Sequence, residues 1–337
     1  MANGQKEEQC RNQLDNFSGL TPAQAEELIE RVLEFIDTSS ERGEDVAIGD
    51  AFQTRPMHGK LGLWDLFAQT SPLLLKHEIS QELAAWLNRA TYYAEAEQWP
   101  DGFDDITISI AGATPVPNAD VAWVHYAIRA GLPAATLTLK ATGMVATATA
   151  SGSTDVHFVS DDDDRKRFWR DMILLAGDNL ESLLNFSARA YPALHFVDGV
   201  LADAGRLSGG YLASRKRVRD ALATLDDWGY WAFTCPPPAI APNEGPPPDP
   251  FASPTNQLIE HRFGGLNLTA APENPNVRNH RPSREARETV LKTRTLYCEW
   301  HVKLQLHQNR IHFHPPVTES GNKVVIGMIH EHLPLPG

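Results

Sequence analysis

A proline-rich segment divides this sequence and limits the secondary structure that the chain can form there. Nine prolines lie in the stretch CPPPAIAPNEGPPPDPFASP, which runs from Cys235 to Pro254. Proline cannot donate a backbone hydrogen bond and its ring fixes φ, so this stretch excludes regular helix and sheet. Chain of this composition is stiff and extended. The segment therefore predicts three parts: a body at 1–235, a proline-rich linker at 236–254 and a C-terminal module at 255–337.

The body alternates between helix patterns and strand patterns. LTPAQAEELIERVLEFID is typical of a helix, because Thr21 suits the N-cap and Pro22 suits the first helical position. MVATATA and TDVHFVS are typical of strands, since β-branched and apolar residues are bounded there by turn formers. This mixture predicts an α/β (or α+β) fold, with a mixed-sheet body and a small C-terminal α+β module.

Charge is unevenly divided between the predicted parts. The chain of 337 residues has a net charge of −13, yet residues 255–337 hold ten Lys and Arg, seven Glu and no Asp. The same residues hold eight of the thirteen histidines. A mildly basic module favours a phosphate-bearing ligand such as RNA or another nucleic acid, whereas an acidic body repels phosphate and favours a protein partner.

The sequence carries no sign of a membrane or of export. No apolar run reaches the roughly 20 residues that a membrane-spanning helix needs. The start MANGQKEEQC has no apolar signal core, and the three cysteines are far apart. We therefore expect a cytoplasmic protein with no membrane partner. P-loop, Rossmann, G-x-S-x-G and H-E-x-x-H motifs do not occur, which disfavours the enzyme classes that use them.

The segment from Cys298 to Pro334 alternates between apolar and polar residues with a period of two, as strands do. We predict three strands in an antiparallel meander with one apolar face and one polar face. The polar face gathers Glu299, His301, Lys303, Arg310, His312 and His314. If Val324, Ile326 and Met328 face the core, Gly327 lies on the polar side and leaves open space for a ligand.

Three interpretations of this polar face stay open at the level of sequence. The first is acid–base cleavage of RNA without a cofactor, since histidine exchanges protons near neutral pH. Its roles are divided as follows: Glu299 or His301 as the base, His312 or His314 as the acid, and Lys303 with Arg310 as the cations. The second is a divalent metal site, because imidazole and carboxylate on adjacent strands suit zinc, iron or manganese. The third is a solvated polar surface.

A second basic group precedes the meander. The stretch PENPNVRNHRPSREARE, at 272–288, is rich in arginine and poor in apolar residues. Arginine binds phosphate oxygens through paired N–H groups. We predict that Arg278, Arg281 and Arg284 form a phosphate-binding strap beside the histidine face.

The meander pattern, with Lys303, Arg310 and His312 on one face, resembles the RelE/HigB-type toxins. Those toxins are small bacterial ribonucleases that cut mRNA without a metal, and the resemblance covers at most residues 255–337. It implies an effector ribonuclease, and the order of body, linker and module is similar to bacterial phage-defence proteins. This module is less basic than those toxins. The alternative is a non-enzymatic subunit of a defence complex that binds nucleic acid or protein.

Overall fold

The computed structural model describes most of the chain and divides it into two compact units. The described residues are 17, 19–49, 52–54, 56–92, 106–139, 143–244 and 249–336. The first unit is Met1–Phe168 and the second is Trp169–Gly337. Helices and mixed sheets occur together, which confirms the predicted α/β or α+β class.

The described residues of the first unit include three complete helices, the start of a fourth, and seven short strands. The helices are α1 (Pro22–Glu41), α2 (His77–Leu87), α3 (Ala119–Arg129) and α4 (Asp162–Leu175), which crosses into the second unit. The strands are β1 (Ala47–Ile48), β2 (Thr91–Tyr92), β3 (Thr107–Ile110), β4 (Val116–Pro117), β5 (Thr136–Leu137), β6 (Gly143–Thr149) and β7 (Gly152–Val159). Strands β4, β3, β6, β7 and β5 form one sheet in that order, and β1 pairs with β2.

Helix α1 begins where the sequence predicts. The backbone N–H of Gln24 donates to Thr21 Oγ1, and the backbone N–H of Thr21 donates to Gln24 Oε1 at 2.9 Å. These two bonds form a capping box, and Pro22 occupies the first turn, where its missing N–H costs nothing. Ile29 and Leu33 are buried on the inner face of this helix.

The second unit is built on a five-stranded sheet. Its remaining helices are α5 (Leu180–Ala190), α6 (Gly210–Thr234), α7 (Asn256–Gly265), α8 (Pro275–Asn279) and α9 (Arg281–Glu285). Its strands are β8 (Leu194–Phe196), β9 (Ala270–Pro272), β10 (Glu288–Leu291), β11 (Arg294–Tyr297), β12 (Trp300–Lys303), β13 (Arg310–Val317) and β14 (Lys323–His330). The sheet order is β8-β14-β13-β12-β9, and β10 pairs with β11 as a separate hairpin.

The predicted antiparallel meander is the centre of this sheet. Strands β12, β13 and β14 pair antiparallel in succession. Strand β9 adds to β12 antiparallel, and β8 adds to β14 parallel. Both additions come from segments that the sequence pattern did not connect to the meander.

Two helices cover the apolar face of the meander. The ring of Phe233 in α6 lies 5.2 Å from that of Trp300 in β12, measured between centroids. The ring of Phe263 in α7 lies 6.3 Å from that of Phe313 in β13. All four rings meet at edge-to-face or tilted angles, as packed aromatic side chains prefer. The opposite, polar face is left for the histidines.

The start of the proline-rich segment packs against helices α6 and α7 of the second unit. The described residues at 236–244 and 249–254 contain no helix or strand, as the prolines predict, and 245–248 lie outside the described residues. The guanidinium of the buried Arg262 donates to the carbonyls of Ala232, Cys235, Pro236 and Ala239 at 2.8–3.3 Å. One buried arginine thus binds the chain where the helix ends.

The division of the chain differs from the one that the prolines predict. The boundary between the two compact units falls between Phe168 and Trp169 in the sequence, whereas the predicted linker lies within the second unit. Strand β8 and helix α6, assigned from sequence to the body, pack on the sheet of the C-terminal segment. Across the described part of the chain, no helix combines the length and the apolar character needed to cross a bilayer.

Candidate metal centre

Three histidines form a row on the polar face because of how the strands pair. His301 in β12 lies opposite His312 in β13, and Arg310 in β13 lies opposite His330 in β14. The rings of His301 and His312 stack with centroids 5.2 Å apart. Those of His312 and His330 stack with centroids 4.9 Å apart. Two of these histidines were predicted to share a face, and His330 joins them.

A β-bulge in β14 sets the direction of His330. The pairing of β13 with β14 shifts register between His312 and Phe313 and leaves one extra residue on β14. An extra residue reverses the alternation of side chains beyond it. Ile329 therefore packs in the core, where the sequence predicted Met328, and His330 turns to the polar face. The predicted direction of Met328 is wrong for this reason.

Gly327, at the bulge, leaves no open space. A Cβ at this position would lie 2.3 Å from Sγ of Cys298 and 3.5 Å from Cγ2 of Thr289. The prediction that Gly327 gives room to a ligand is therefore wrong, because the Cys298 side chain fills the place. Burial raises the pKa of the Cys298 thiol to about 12, so this thiol is protonated at neutral pH, and it does not belong to the group of possible ligands described below.

Glu273 brings a buried carboxylate to the histidines. It follows β9 directly, and its backbone N–H donates to the carbonyl of Glu299 at 2.9 Å. Its Oε1 lies 3.7 Å from Nδ1 of His301 and 3.7 Å from Nε2 of His312. The pairing of β9 with β12 therefore places one carboxylate between two imidazoles.

Arg287 holds this carboxylate in place. Its Nε donates to Glu273 Oε1 at 2.7 Å, and its Nη1 donates to the carbonyls of Ser283 and Pro334. The side chain of Arg287 is fully buried, and that of Glu273 is 7% exposed. A carboxylate has about four lone-pair positions, so this bond leaves others free for a further partner.

His312 presents an unprotonated nitrogen to the carboxylate. Its Nδ1 lies 3.2 Å from the carbonyl oxygen of Cys298, which can only accept, so Nδ1 carries the proton and donates. In the neutral ring Nε2 is then an acceptor, and it faces the acceptor Oε1 of Glu273 at 3.7 Å. Two lone pairs that face each other in a buried site need a cation between them.

That cation is not a proton at neutral pH. Burial holds the pKa of His312 well below its ordinary value, and the neighbouring His330 and His301 lower it further. Burial also lowers the pKa of His301 to about 4, although Glu273 acts in the opposite direction. The 3.7 Å approaches are therefore contacts between a carboxylate and neutral imidazoles. Neutral imidazole and carboxylate are the forms that bind metal ions.

The spacing of the three groups suits one metal ion. One donor atom each of Glu273, His301 and His312 lies within 4.8 Å of the other two. Zinc bonds of about 2.0–2.1 Å in tetrahedral geometry separate ligand atoms by about 3.4 Å, close to the observed 3.7 Å. The Cys298 carbonyl orients His312, and Arg287 orients Glu273, as outer-shell groups do in metal sites.

Three predicted members of the polar face have other surroundings. Glu299 accepts from Arg278 Nη1 at 2.8 Å. Lys303 is exposed, at the end of β12 opposite Arg310. His314 donates from Nδ1 to the carbonyl of Pro315 at 2.7 Å. Of the six residues predicted for this site, the structure brings His301, Arg310 and His312 together.

The predicted arginine strap is paired with carboxylates. Arg281 pairs with Glu285, and Arg284 pairs with Glu288, each four residues further along the chain. Arg278 pairs with Glu299, as described above. These neutralised arginines lie on the surface, with side chains 40–86% exposed.

Sequence reasoning missed Glu273, Arg287 and His330 as members of the centre. One signal existed for Arg287. Arg281 and Arg284 have a glutamate four residues later, whereas Arg287 has Leu291 there and so had no local partner. For Glu273 the only local sign was its position after a short apolar run. Its contact with the histidines depends on the β9–β12 pairing, which no local pattern encodes.

Comparison with known proteins adds no relative. No family model, no curated protein and no solved structure matches this chain. The argument on function therefore rests on the geometry of the centre.

Proposed function

We propose that this protein is a metal-dependent enzyme that binds one divalent transition metal ion with Glu273, His301 and His312. Two imidazoles and one carboxylate form a ligand set that suits zinc, iron or manganese. Among the described residues, no fourth His, Cys, Asp or Glu joins this group. Three protein ligands with an open position are typical of catalytic rather than structural sites.

One observation carries the proposal. His312 commits Nδ1–H to the Cys298 carbonyl and directs the lone pair of Nε2 towards the Glu273 carboxylate in a fully buried site. Without a cation, this arrangement brings two acceptors together where water cannot separate them, which costs free energy. A divalent ion between them satisfies both groups and offsets this cost.

The open position defines the class of chemistry. A bound divalent ion polarises an oxygen of the substrate and lowers the pKa of a bound water, which supports hydrolysis. His330 lies beside the ligands without being one of them, and burial lowers its pKa to about 4. His330 is therefore a neutral imidazole at neutral pH, and its ring lies against that of His312.

The test is the metal content of matched variants. We expect the chain, loaded with Zn²⁺ or Mn²⁺ and freed of excess ion, to retain about one ion, measured by inductively coupled plasma mass spectrometry. His301→Ala and His312→Ala should each weaken metal binding at least tenfold, because loss of one of three ligands removes much of the binding free energy.

Two control variants separate the metal centre from the wider polar face. His314→Ala removes a histidine two positions further along the same strand, and Glu299→Gln removes the carboxylate that pairs with Arg278. Both should retain the metal. Circular dichroism checks that every variant has the native fold. If the folded His301 and His312 variants retain as much metal as the two control variants, the proposal is contradicted.

The action on RNA, the role in bacterial defence and the nucleic-acid or protein partners stay predictions. Cleavage of RNA without a metal gains little support from the centre. His312, a predicted acid, is fully buried and its pKa is held well below the ordinary value, so it carries no proton to donate at neutral pH. The pKa of His301, a predicted base, is lowered to about 4, which makes it a weak base. A metal-dependent enzyme was the second alternative for the polar face of the meander, and the geometry favours it, with Glu273 in the place of the predicted carboxylate.

A further inference from the structure

Beside the proposed ligands lies a group of buried polar side-chain atoms without hydrogen-bond partners. Within the described residues, Arg287 Nη2, Tyr297 Oη, Arg310 Nε and both ring nitrogens of His330 are inaccessible and make no hydrogen bond. Buried polar atoms in folded proteins are nearly always paired, with protein, water or a ligand. Four such residues near Glu273 and the histidines therefore indicate that water or a ligand occupies this place.

Their positions connect them to the metal ligands. Arg287 contacts Glu273 through Nε, so its unpaired Nη2 lies in the same site. Arg310 lies opposite His330, whose ring stacks on that of His312 at 4.9 Å. The charges of Arg287 and Arg310 both lower the pKa of His330 and that of His301, as cations close to these rings do.

Charge at this place is unbalanced. Arg287 and Arg310 are two cations, and Glu273 is the one carboxylate among the metal ligands. The next carboxylate, that of Glu299, is bound by Arg278. A divalent metal ion adds two further positive charges. Buried charge of one sign is costly unless a counter-charge accompanies it.

The chemistry of the unpaired atoms defines the partner. Arginine N–H groups only donate, and a guanidinium prefers planar oxyanions such as carboxylate and phosphate. Tyr297 carries an O–H donor, because burial raises its pKa to about 12. A partner with negative charge and several acceptor oxygens satisfies the two guanidinium groups, the Tyr297 hydroxyl and the one ring N–H of neutral His330, and it also suits an open metal position.

We propose that the substrate of this centre is a small oxyanion, whose carboxylate or phosphate group binds Arg310 and Arg287 and reaches the metal. This inference rests on the proposed metal centre. The ligand is small because His301 and His312 are almost entirely buried, which leaves no groove for a polymer at the ligands themselves. Arg310 and Tyr297 are half-buried residues whose unpaired atoms, Nε and Oη, are inaccessible to solvent.

The experiment is calorimetric titration of the full chain with inorganic phosphate and, separately, with oxalate, in metal-loaded and metal-free forms. The metal-loaded protein should bind at least one of the two anions, and the stronger binder indicates which oxyanion class the site prefers. Arg310→Gln should weaken that binding at least tenfold. Arg281→Gln, at an arginine 86% exposed and paired with Glu285, should leave it unchanged.

The outcomes separate this inference from the proposed function. A metal-loaded chain that binds neither anion overturns the oxyanion site and leaves the metal centre standing. Anion binding that is equal in Arg310→Gln and Arg281→Gln also overturns it. The third outcome is a protein that retains no metal, binds the anion, and loses that binding in Arg310→Gln. This outcome supports the oxyanion site and contradicts the metal centre.

Discussion

At the scale of single residues, His312 shows how position determines chemistry. The same imidazole on a solvated strand would titrate near neutral pH and exchange protons with water. Here its Nδ1 is bound to a carbonyl and its ring is stacked between two other histidines in a fully buried place. Burial lowers its pKa and keeps Nε2 available as a ligand atom. The residue is thereby suited to bind a metal rather than to donate a proton.

Gly327 supports a prediction at the same scale. Gly327→Ala places a Cβ 2.3 Å from Cys298 Sγ, a distance that real atoms do not adopt, so the strand or the cysteine must move. Overpacking of this kind costs about 1–3 kcal/mol in the free energy of unfolding. We expect urea unfolding to show this loss of stability. Hydrogen exchange of the backbone amides in β13 and β14 identifies which unfolding transition belongs to the second unit.

A double variant provides the control for Gly327. Cys298→Ala removes Sγ, and the new Cβ of residue 327 then lies an ordinary 3.5 Å from the Cβ of residue 298. The double variant should therefore lose less stability than the sum of the two single variants, by at least about 1 kcal/mol. Strict additivity, or wild-type stability of Gly327→Ala alone, would show that the bulge is not packed as described.

At the scale of elements, the attachment of the proline-rich segment depends on one side chain. Arg262 in α7 donates to four backbone carbonyls near the end of α6 and stacks over the ring of Trp231, with Cζ 5.0 Å from the centroid. Hydrogen bonds from a charged donor contribute about 1.5–3 kcal/mol each. A lysine ammonium cannot reach four carbonyls in this forked geometry.

Arg262→Lys should therefore loosen the segment. We expect a loss of about 2–4 kcal/mol in the free energy of unfolding, and faster proteolysis within 236–254. The matched control is Arg217→Lys in α6, where the guanidinium donates to a single carbonyl, that of Leu304, at 3.0 Å. The control should lose under about 1 kcal/mol. Equal proteolysis of both variants and the wild type would refute the role of Arg262.

The elements also show which parts of the fold can be predicted from sequence. Helix α1 follows from Thr21 and Pro22, and the meander follows from alternation, because both signals are local. The bulge in β14 is different. KVVIGMIHEH is apolar on both faces, so a shift of one residue changes no local preference, and only packing decides the direction of His330.

At the scale of the whole molecule, distant segments decide both the units and the site. The sheet of the second unit combines β8, β9 and the meander, which are separated in sequence by helices and by the prolines. The proposed metal ligands likewise come from β12, β13 and the residue after β9. The composition predicted a domain boundary at the prolines, because prolines indicate where helices and strands end. Composition does not indicate which segments pack together.

The arrangement of Arg287, Arg310 and the three ligands gives the molecule one concentrated polar site in a sheet whose other face is an aromatic core. Such a site is costly to fold empty, since several buried polar groups lack partners. The cost is offset if a metal ion and its ligand occupy it. Occupancy of the site is therefore the central claim of this account.

X-ray absorption spectroscopy of the zinc-loaded, full-length protein tests that claim most directly. We predict one zinc per chain with a first shell of nitrogen and oxygen only, in which the outer-shell scattering of imidazole indicates two histidines. Glu273, His301 and His312 account for three of those ligands, and water or an anion accounts for the rest. A shell containing sulfur, a shell without imidazole scattering, or no retained zinc would contradict the account.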